Sequence, residues 1–309
     1  MLNYKIIFNL LGVLLMIIGG LMLTVIPVSL YFRSGDQYAM LFSALITAAV
    51  GFLLWQIKRD RNTIRKREGY LIVSLGWIVM SLFGMLPYLI SGGIPEITNA
   101  FFETVSGFTT TGASILNDIE SMPEGLLFWR SMTQWIGGMG IIVMTIAILP
   151  ILGIGGMELF VAEAPGPTSD KIHPRITETA KRLWAVYLAL TVMETILLMI
   201  GGMSFFDAIN HAFTTMATGG YSTKNDSIAH FQSPYIQYII ILFMFLAGTN
   251  FTLNYFLLRF KPGKLWKNQE FKTYLFISLL LGLAIGSYLF LNEPFSDSIH
   301  HHDNGLRYG

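Results

Sequence analysis

Two stretches of the chain place threonine hydroxyls and glycines in a pattern suited to holding a small cation stripped of its water. The first is Phe101-Phe-Glu-Thr-Val-Ser-Gly-Phe-Thr-Thr-Thr-Gly-Ala-Ser114, and the second, more loosely, is Phe206-Asp-Ala-Ile-Asn-His-Ala-Phe-Thr-Thr-Met-Ala-Thr-Gly-Gly-Tyr-Ser222. Asn99-Ala100 and Asp207-Ala208 set the register, a shift of 108 residues. In that register Thr110-Thr111-Gly112-Ala113-Ser114 lies over Thr218-Gly219-Gly220-Tyr221-Ser222. Each copy predicts a short helix opened by a capping Asn99 or Asp207 and closed by a Thr/Gly loop.

An ion such as potassium sheds its hydration shell at the narrowest point of a selective path. A ring of backbone carbonyls with threonine hydroxyls can replace that shell without fixed charge. Glycine lets the chain turn its carbonyls inward through φ values closed to other residues. A short helix that aims its C-terminus at the centre adds partial negative charge. The candidate filter residues are therefore Thr110, Thr111 and Gly112 with Thr218, Gly219 and Gly220, and Thr110, Thr111, Thr218 and Gly219 are the candidate ligands. The plainer alternative is a pair of turns between helices. One such loop would be weak evidence, but two in register argue against turns. Irregular backbone at membrane depth is tolerated only where it is buried in protein or lines a water-filled path.

The elements that carry these loops are helices in a bilayer. Hydrophobic residues make up 53% of the chain and charged residues 13%, and the mean hydropathy is +0.57, a membrane-protein composition. The chain has no cysteine, which excludes a disulfide framework, a thiolate metal site and a Cys nucleophile. Seven apolar runs are near or above the ~20 residues a spanning helix needs. They are Lys5–Tyr31, Tyr38–Ile57, Tyr70–Ile90, Leu126–Leu149, Trp184–Ile200, Ile236–Leu258 and Tyr274–Leu291. The first is too long for a signal-peptide core and lacks a small-x-small cleavage site, so it predicts a retained helix.

The expected fold is all-α and integral to the membrane, with about seven transmembrane helices plus two re-entrant pore helices. Its units repeat as helix, pore helix, filter loop, helix, an arrangement of the potassium-channel type. The repeat divides the chain into an N-terminal helix pair (1–60), a first pore repeat (61–155), a second (156–262), and the first helix of a third with a divergent tail (263–309).

Loop charge orients these helices. Lys58, Arg59, Arg61, Arg65, Lys66 and Arg67 fill one connection, Lys171, Arg175, Lys181 and Arg182 another, and Lys261, Lys264, Lys267 and Lys272 a third. The intervening loops carry Asp36, Glu96, Asp118, Glu120, Glu124, Asp207 and Asp226 instead. Lysine and arginine collect on the cytoplasmic side, so the N-terminus is expected inside and both Thr/Gly loops enter from the outer face. The outer acids would raise the local cation concentration.

Arg130 opens the fourth run and reads as snorkelling to the outer interface or binding a neighbouring carbonyl. Gly137-Gly138-Met-Gly140 and Gly282-x3-Gly286 read as close-packing faces rather than hinges. Ala247-Gly-Thr-Asn250 has two readings. Either Asn250 makes an interhelical hydrogen bond, or Gly248, Thr249 and Asn250 break the helix under the loop and act as a gate. Glu194 reads as paired rather than as a proton carrier. His211, at the position of Glu103 in the other copy, reads as packing or a cap. His300-His-His302-Asp303 has no second ligand cluster nearby and reads as a polar tail. The chain contains no P-loop, GxSxG or HExxH, so no enzyme is expected. The basic loops are too short for a nucleic-acid surface.

These residues resemble the Trk/Ktr/HKT superfamily of potassium transporters over about residues 1–295. The likeness rests on the two loops above together with Arg67-Glu-Gly-Tyr-Leu-Ile72, Gln134-Trp-Ile-Gly-Gly-Met-Gly-Ile-Ile142, Ile148-Leu-Pro-Ile-Leu-Gly153, Ala164-Pro-Gly-Pro167 and Pro174-Arg-Ile-Thr-Glu-Thr-Ala-Lys181. The extra N-terminal helix pair resembles the Trk branch, the pore subunits of bacterial potassium uptake. The resemblance implies four repeats around one pore, with filter glycines at Gly112 and Gly220 and coordinating positions at Thr110, Thr111, Thr218 and Gly219. In the plant branch a serine at the first glycine goes with sodium, so Gly112 implies potassium.

The resemblance further implies a homodimer in the bacterial cytoplasmic (inner) membrane, joined on its cytoplasmic face by a nucleotide-binding regulatory subunit. This chain itself has no site for an organic cofactor. Only two of the four repeats and one helix of a third can be traced, and the sequence after Leu291 does not look like a third filter, so the chain reads as a truncated N-terminal half. The expected function is potassium uptake through a Thr/Gly filter, passive or coupled to an ion gradient. The alternative is a non-conducting fragment or assembly partner. A substrate transporter with broken helices would need more mid-membrane polar residues than Glu194, Thr249 and Asn250.

Overall fold

The computed structural model describes residues 2–57, 66–140 and 176–292. All regular elements among them are helical, as expected. They fall into two compact units, Met1–Tyr255 and Phe256–Gly309.

The first unit opens on a helical hairpin. Helix α1 (Tyr4–Leu23) breaks at Thr24–Val25, continues as α2 (Ile26–Phe32), and α3 (Gln37–Trp55) returns against α1. The break precedes Pro27, which sits in the first turn of α2 where its missing N–H costs nothing. Helices α1 and α3 touch backbone to backbone: a Cβ on Gly12 would overlap the carbonyl of Gly51, and one on Gly51 would overlap that of Gly12. Small residues at such crossings replace the hydrophobic drive that lipid does not supply.

Two similar assemblies follow. In the first, α4 (Lys66–Gly84) and α5 (Leu86–Ser91) lead to the short α6 (Ile97–Phe108) and then to α7 (Glu124–Gly138). In the second, α8 (Ile176–Ile200) leads to the short α9 (Phe205–Met216), a 3-10 turn (Ser227–His230), α10 (Pro234–Ala247) and α11 (Phe251–Leu258). The buried Trp129 on α7 donates from Nε1 to the Gly84 carbonyl at 2.9 Å, supplying a partner that the end of α4 lacks. One apolar core joins α1, α4, α6 and α7, and smaller ones join α8, α9 and α10 through Tyr187, Met216, Phe243, Leu198 and Ile240.

The second unit holds α12 (Gly263–Lys267) and α13 (Gln269–Asn292). Asn268 opens α13 by accepting from the Phe271 N–H at 2.9 Å. Within this unit a Cβ on Gly282 or Gly286 would meet no atom within 4 Å, so the packing face read from their spacing has no partner inside it.

Among the described residues five helices are long and apolar enough to cross a bilayer: Tyr4–Phe32, Gln37–Trp55, Arg67–Ser91, Lys181–Ile200 and Gln269–Leu291. The pair Pro234–Ala247 and Phe251–Leu258, bent by 117°, is apolar enough to make a sixth if it is one broken span rather than a re-entrant segment. The remaining run of the seven is α7 with residues 141–149, which lie outside the described residues. Also outside them are Lys58 to Arg65, the Gly153–Pro174 connection with Lys171, and the tail with His300–His302.

Candidate cation-filter site

The two short helices are the same element built twice. Helices α6 and α9 are each 12 residues long, and both ends of α9 lie 108 residues after those of α6. Their caps differ from the sequence expectation. The N-cap residues are Glu96 and Ser204, so Asn99 and Asp207 are the third helical residue of each. Ser204 Oγ accepts from the Asp207 N–H at 3.0 Å and donates to Asp207 Oδ2 at 2.8 Å, while Asn99 Nδ2 donates to Glu96 Oε2 at 2.8 Å. The residues that set the register are therefore the acid and amide that face back to the cap.

Beyond each helix the backbone repeats one conformation. Thr110 and Thr218 are left-handed, with φ of 55° and 56°, and Gly112 and Gly220 follow with φ of 76° and 82°. A β-branched residue in this region is an outlier that costs on the order of 1–3 kcal/mol and persists only where the surroundings enforce it. Enforcement is visible in both copies. The Thr111 N–H donates to the Ser106 carbonyl at 3.0 Å, and the Gly219 N–H donates to the Thr214 carbonyl at 2.9 Å. With the Thr110 N–H donating to the Gly107 carbonyl at 3.0 Å and the Thr218 N–H to the Thr215 carbonyl at 2.9 Å, each loop leaves its short helix through the same left-handed C-cap. All six sequence-predicted filter residues therefore lie in two loops of one shape.

The loops also touch. A Cβ added to Gly112 would overlap the Gly219 carbonyl oxygen. Helix α7 passes between the two short helices, close enough that a Cβ on Gly137 would overlap the Phe108 carbonyl and one on Gly138 would overlap Ala217. The Gly137-Gly138 pair is thus a close-packing face, as its sequence suggested.

Behind the loops lies a buried polar frame that sequence reading missed. Arg130 on α7 is 2% exposed and does not reach for the interface. Its Nε donates to Glu103 Oε1 at 2.7 Å and its Nη1 donates to the Ser222 carbonyl at 3.1 Å, while its guanidinium lies 3.5 Å from the Tyr221 ring centroid. Of the two readings given to Arg130, the carbonyl partner is the one found. Glu103 also accepts from Ser114 Oγ at 2.9 Å and from the Ile115 N–H at 3.0 Å, pinning the first loop. His211, in the matching place, holds Ser222 Oγ through Nε2 at 3.0 Å and the Asp207 carbonyl through Nδ1 at 2.8 Å, a polar role rather than plain packing. Gln134, one turn beyond Arg130, accepts from the Tyr221 N–H at 3.1 Å, and the Tyr221 hydroxyl donates to the Glu103 carbonyl at 3.0 Å. An arginine inside an apolar run and a glutamate inside a short helix, at matching depth, were the available signals.

The outer ends of the loops are tied together as well. Asn225 accepts from the Ile119 N–H at 2.7 Å and donates from Nδ2 to Asp118 Oδ1 at 3.1 Å, and its own N–H donates to Glu120 Oε1 at 3.1 Å. The Asn225 amide holds the exposed Asp118 carboxyl below the usual carboxylate range.

Gly248, Thr249 and Asn250 sit in the break between α10 and α11. Asn250 Oδ1 accepts from the Thr252 N–H at 3.0 Å, a local cap and not an interhelical bond, which corrects that reading. Asn254 Nδ2 bridges the break to the Leu246 carbonyl at 2.8 Å. Glu194 was expected to be paired, yet both of its buried carboxyl oxygens lack a hydrogen-bond partner among the described residues. Thr215, on the short helix α9, is a polar neighbour of this carboxyl.

Comparison with known proteins bears on this geometry. A family model named TrkH and described as "Cation transport protein" matches residues 35–285. The Trk system potassium uptake protein TrkH of Salmonella typhimurium is 43% identical over 284 residues, covering 90% of this chain and 59% of that protein. Its namesake in Escherichia coli K12 is 41% identical over 302 residues, covering 96% and 62%. The crystal structure of the potassium transporter TrkH from Vibrio parahaemolyticus superposes with a TM-score of 0.80 at 37% identity, covering 94% of this chain and 60% of that one. The chain thus spans about three fifths of the length of the relatives it matches.

Proposed function

We propose that this chain, which belongs to the TrkH family of cation transport proteins, supplies two of the filter segments of a potassium uptake pore. The observation that carries this reading is the matched left-handed backbone at Thr110 and Thr218 and at Gly112 and Gly220, in two loops that touch. Backbone carbonyls and threonine hydroxyls of these loops would replace the water around potassium, with Thr110, Thr111, Thr218 and Gly219 as ligands. Potassium is here the cargo. The C-termini of α6 and α9 add partial negative charge at the loops.

The pore repeats in this reading run over 61–155 and 156–262, after the helix pair of 1–60 and before 263–309. The protein lies in the bacterial inner membrane with its N-terminus in the cytoplasm, consistent with the lysines and arginines between its helices. It works as a transporter and not as an enzyme. Filter segments beyond these two come from further chain or from a second copy. A homodimer with a nucleotide-binding regulatory subunit on the cytoplasmic face is the assembly that fits. Gly248, Thr249 and Asn250 form the gate beneath the second loop.

The test is rubidium uptake by an uptake-deficient bacterium that carries this chain in its membrane. Uptake that Gly112→Ser shifts toward sodium supports the reading. No uptake from a well-inserted chain would instead make it a non-conducting fragment or assembly partner.

A further inference from the structure

Gln134 is fully buried on α7, a helix of the first assembly, yet its polar atoms face the loop of the second. Its Oε1 accepts from the N–H of Tyr221, the residue directly after the filter glycine Gly220. Its amide lies flat against Gly219: a Cβ there would overlap Cδ and fall 2.5 and 2.6 Å from Oε1 and Nε2. The Gly219 carbonyl in turn abuts Gly112. A Cβ on Gly112 would also lie 3.8 Å from Gln134 Nε2, so the amide sits against both loops where they meet. Nε2 has no hydrogen-bond partner among the described residues, so this amide is not placed there to satisfy itself.

We infer that Gln134 is a positioning residue for cation selectivity, setting the distance between the two filter strands through its bond to Tyr221. This rests on the filter reading above. Where selectivity comes from cavity size, discrimination between potassium and sodium depends on how far a ring of carbonyls can close, and hence on what stands behind it. Gln134 stops the second strand from retreating toward α7, and Arg130, one turn earlier, holds the next residue, Ser222, by its carbonyl. The two bonds fix consecutive residues of one loop from a neighbouring assembly. The matching helix of the second assembly, α10, offers no such device among the described residues. The second loop reaches the first through the Tyr221 hydroxyl, which donates to the Ala113 carbonyl at 3.2 Å and the Glu103 carbonyl at 3.0 Å, and through the Asn225 bonds at the loop ends. Helix α10 carries no charged residue, and its one amide, Gln237, donates to the Phe231 carbonyl at 3.1 Å. The brace supplied by a long helix therefore runs in one direction, from α7 to the loop of the second assembly.

The full chain in lipid nanodiscs is compared as wild type, Gln134→Leu and Gln134→Glu by two readouts. The first is backbone hydrogen exchange over residues 218–223; the second is the ratio of sodium to potassium concentrations that half-protect the chain from heat. Leucine fills the space but leaves the buried Tyr221 N–H without a partner, so exchange over 218–223 rises and the ratio falls about tenfold. Glutamate keeps an acceptor at Oε1 and restores the exchange pattern. Wild-type exchange and an unchanged ratio in Gln134→Leu would overturn the brace. Equal protection of the wild type by sodium and potassium, with exchange still raised in Gln134→Leu, would overturn the filter reading and leave the brace without its selectivity role.

Discussion

The carbonyl oxygen of Gly219 occupies the space that the first side-chain carbon of residue 112 would need. Each loop thus limits what the other can be. Gly220 has the same left-handed backbone but open space around its Cα, with no atom within 4 Å of the place a side-chain carbon would take. Gly112→Ala therefore meets two obstacles and Gly220→Ala one. The second change costs about 1–2 kcal/mol of backbone strain, whereas the first must also push the Gly219 strand aside. Thermal unfolding of the two variants is expected to rank Gly112→Ala well below Gly220→Ala. Equal losses would mean that the loops do not touch in the membrane.

The Glu103–Arg130 pair is sealed from solvent, with both side chains at most 2% exposed. Removing one partner leaves a buried charge, at about 3–5 kcal/mol. Arg130→Met and Glu103→Gln are each expected to lower the unfolding temperature strongly, and the double variant to lose clearly less than the sum. Strict additivity of the two losses would show that the ions do not interact.

Helix α7 fits between the short helices only because it lacks side chains there. Gly137→Ala would drive a methyl group into the Phe108 carbonyl, whereas a Cβ on Gly20, in the last turn of α1, would meet nothing within 4 Å. Gly20→Ala should stabilise the chain by about 0.5–1 kcal/mol through backbone entropy, and Gly137→Ala should destabilise it. Paired melting curves check the contrast, and a harmless Gly137→Ala would refute the close approach.

Asn225 lowers the titration point of Asp118 by donating to its carboxylate. A depressed folded-state pKa stabilises the tie between loops above the ordinary carboxylate range, and that contribution is lost as pH falls through the folded value. Asn225→Ala is expected to raise the pH at which Asp118 titrates, read from its carboxyl carbon shift in NMR. An unmoved titration would remove Asn225 as the cause.

Much of this was legible in sequence because the repeat is local. The shift of 108 residues aligned Thr110 with Thr218 and Gly112 with Gly220, and the backbone angles match at those same positions. The break at Gly248–Asn250 was visible as polar residues in an apolar run, although the role of Asn250 as a local cap was not. Capping was misplaced by three residues, since Asn99 and Asp207 lie inside helices that Glu96 and Ser204 begin. The frame behind the filter was hidden for a different reason. Glu103 and Arg130 are 27 residues apart and Gln134 and Tyr221 are 87 apart, so only the packing of α7 between two loops brings them together. An arginine near the end of an apolar run suits an interface as well as a buried pair, and only its depth separates the two.

The account stands or falls on whether a potassium-sized ion sits between the loops. Crystals of the chain soaked in thallium, which scatters anomalously and mimics potassium, would give the most direct answer. The account predicts an anomalous peak bounded by Thr110–Gly112 on one side and Thr218–Gly220 on the other, weakened by competing potassium but not by sodium. Well-ordered loops with no peak between them, or a peak that sodium displaces as readily as potassium, would contradict it.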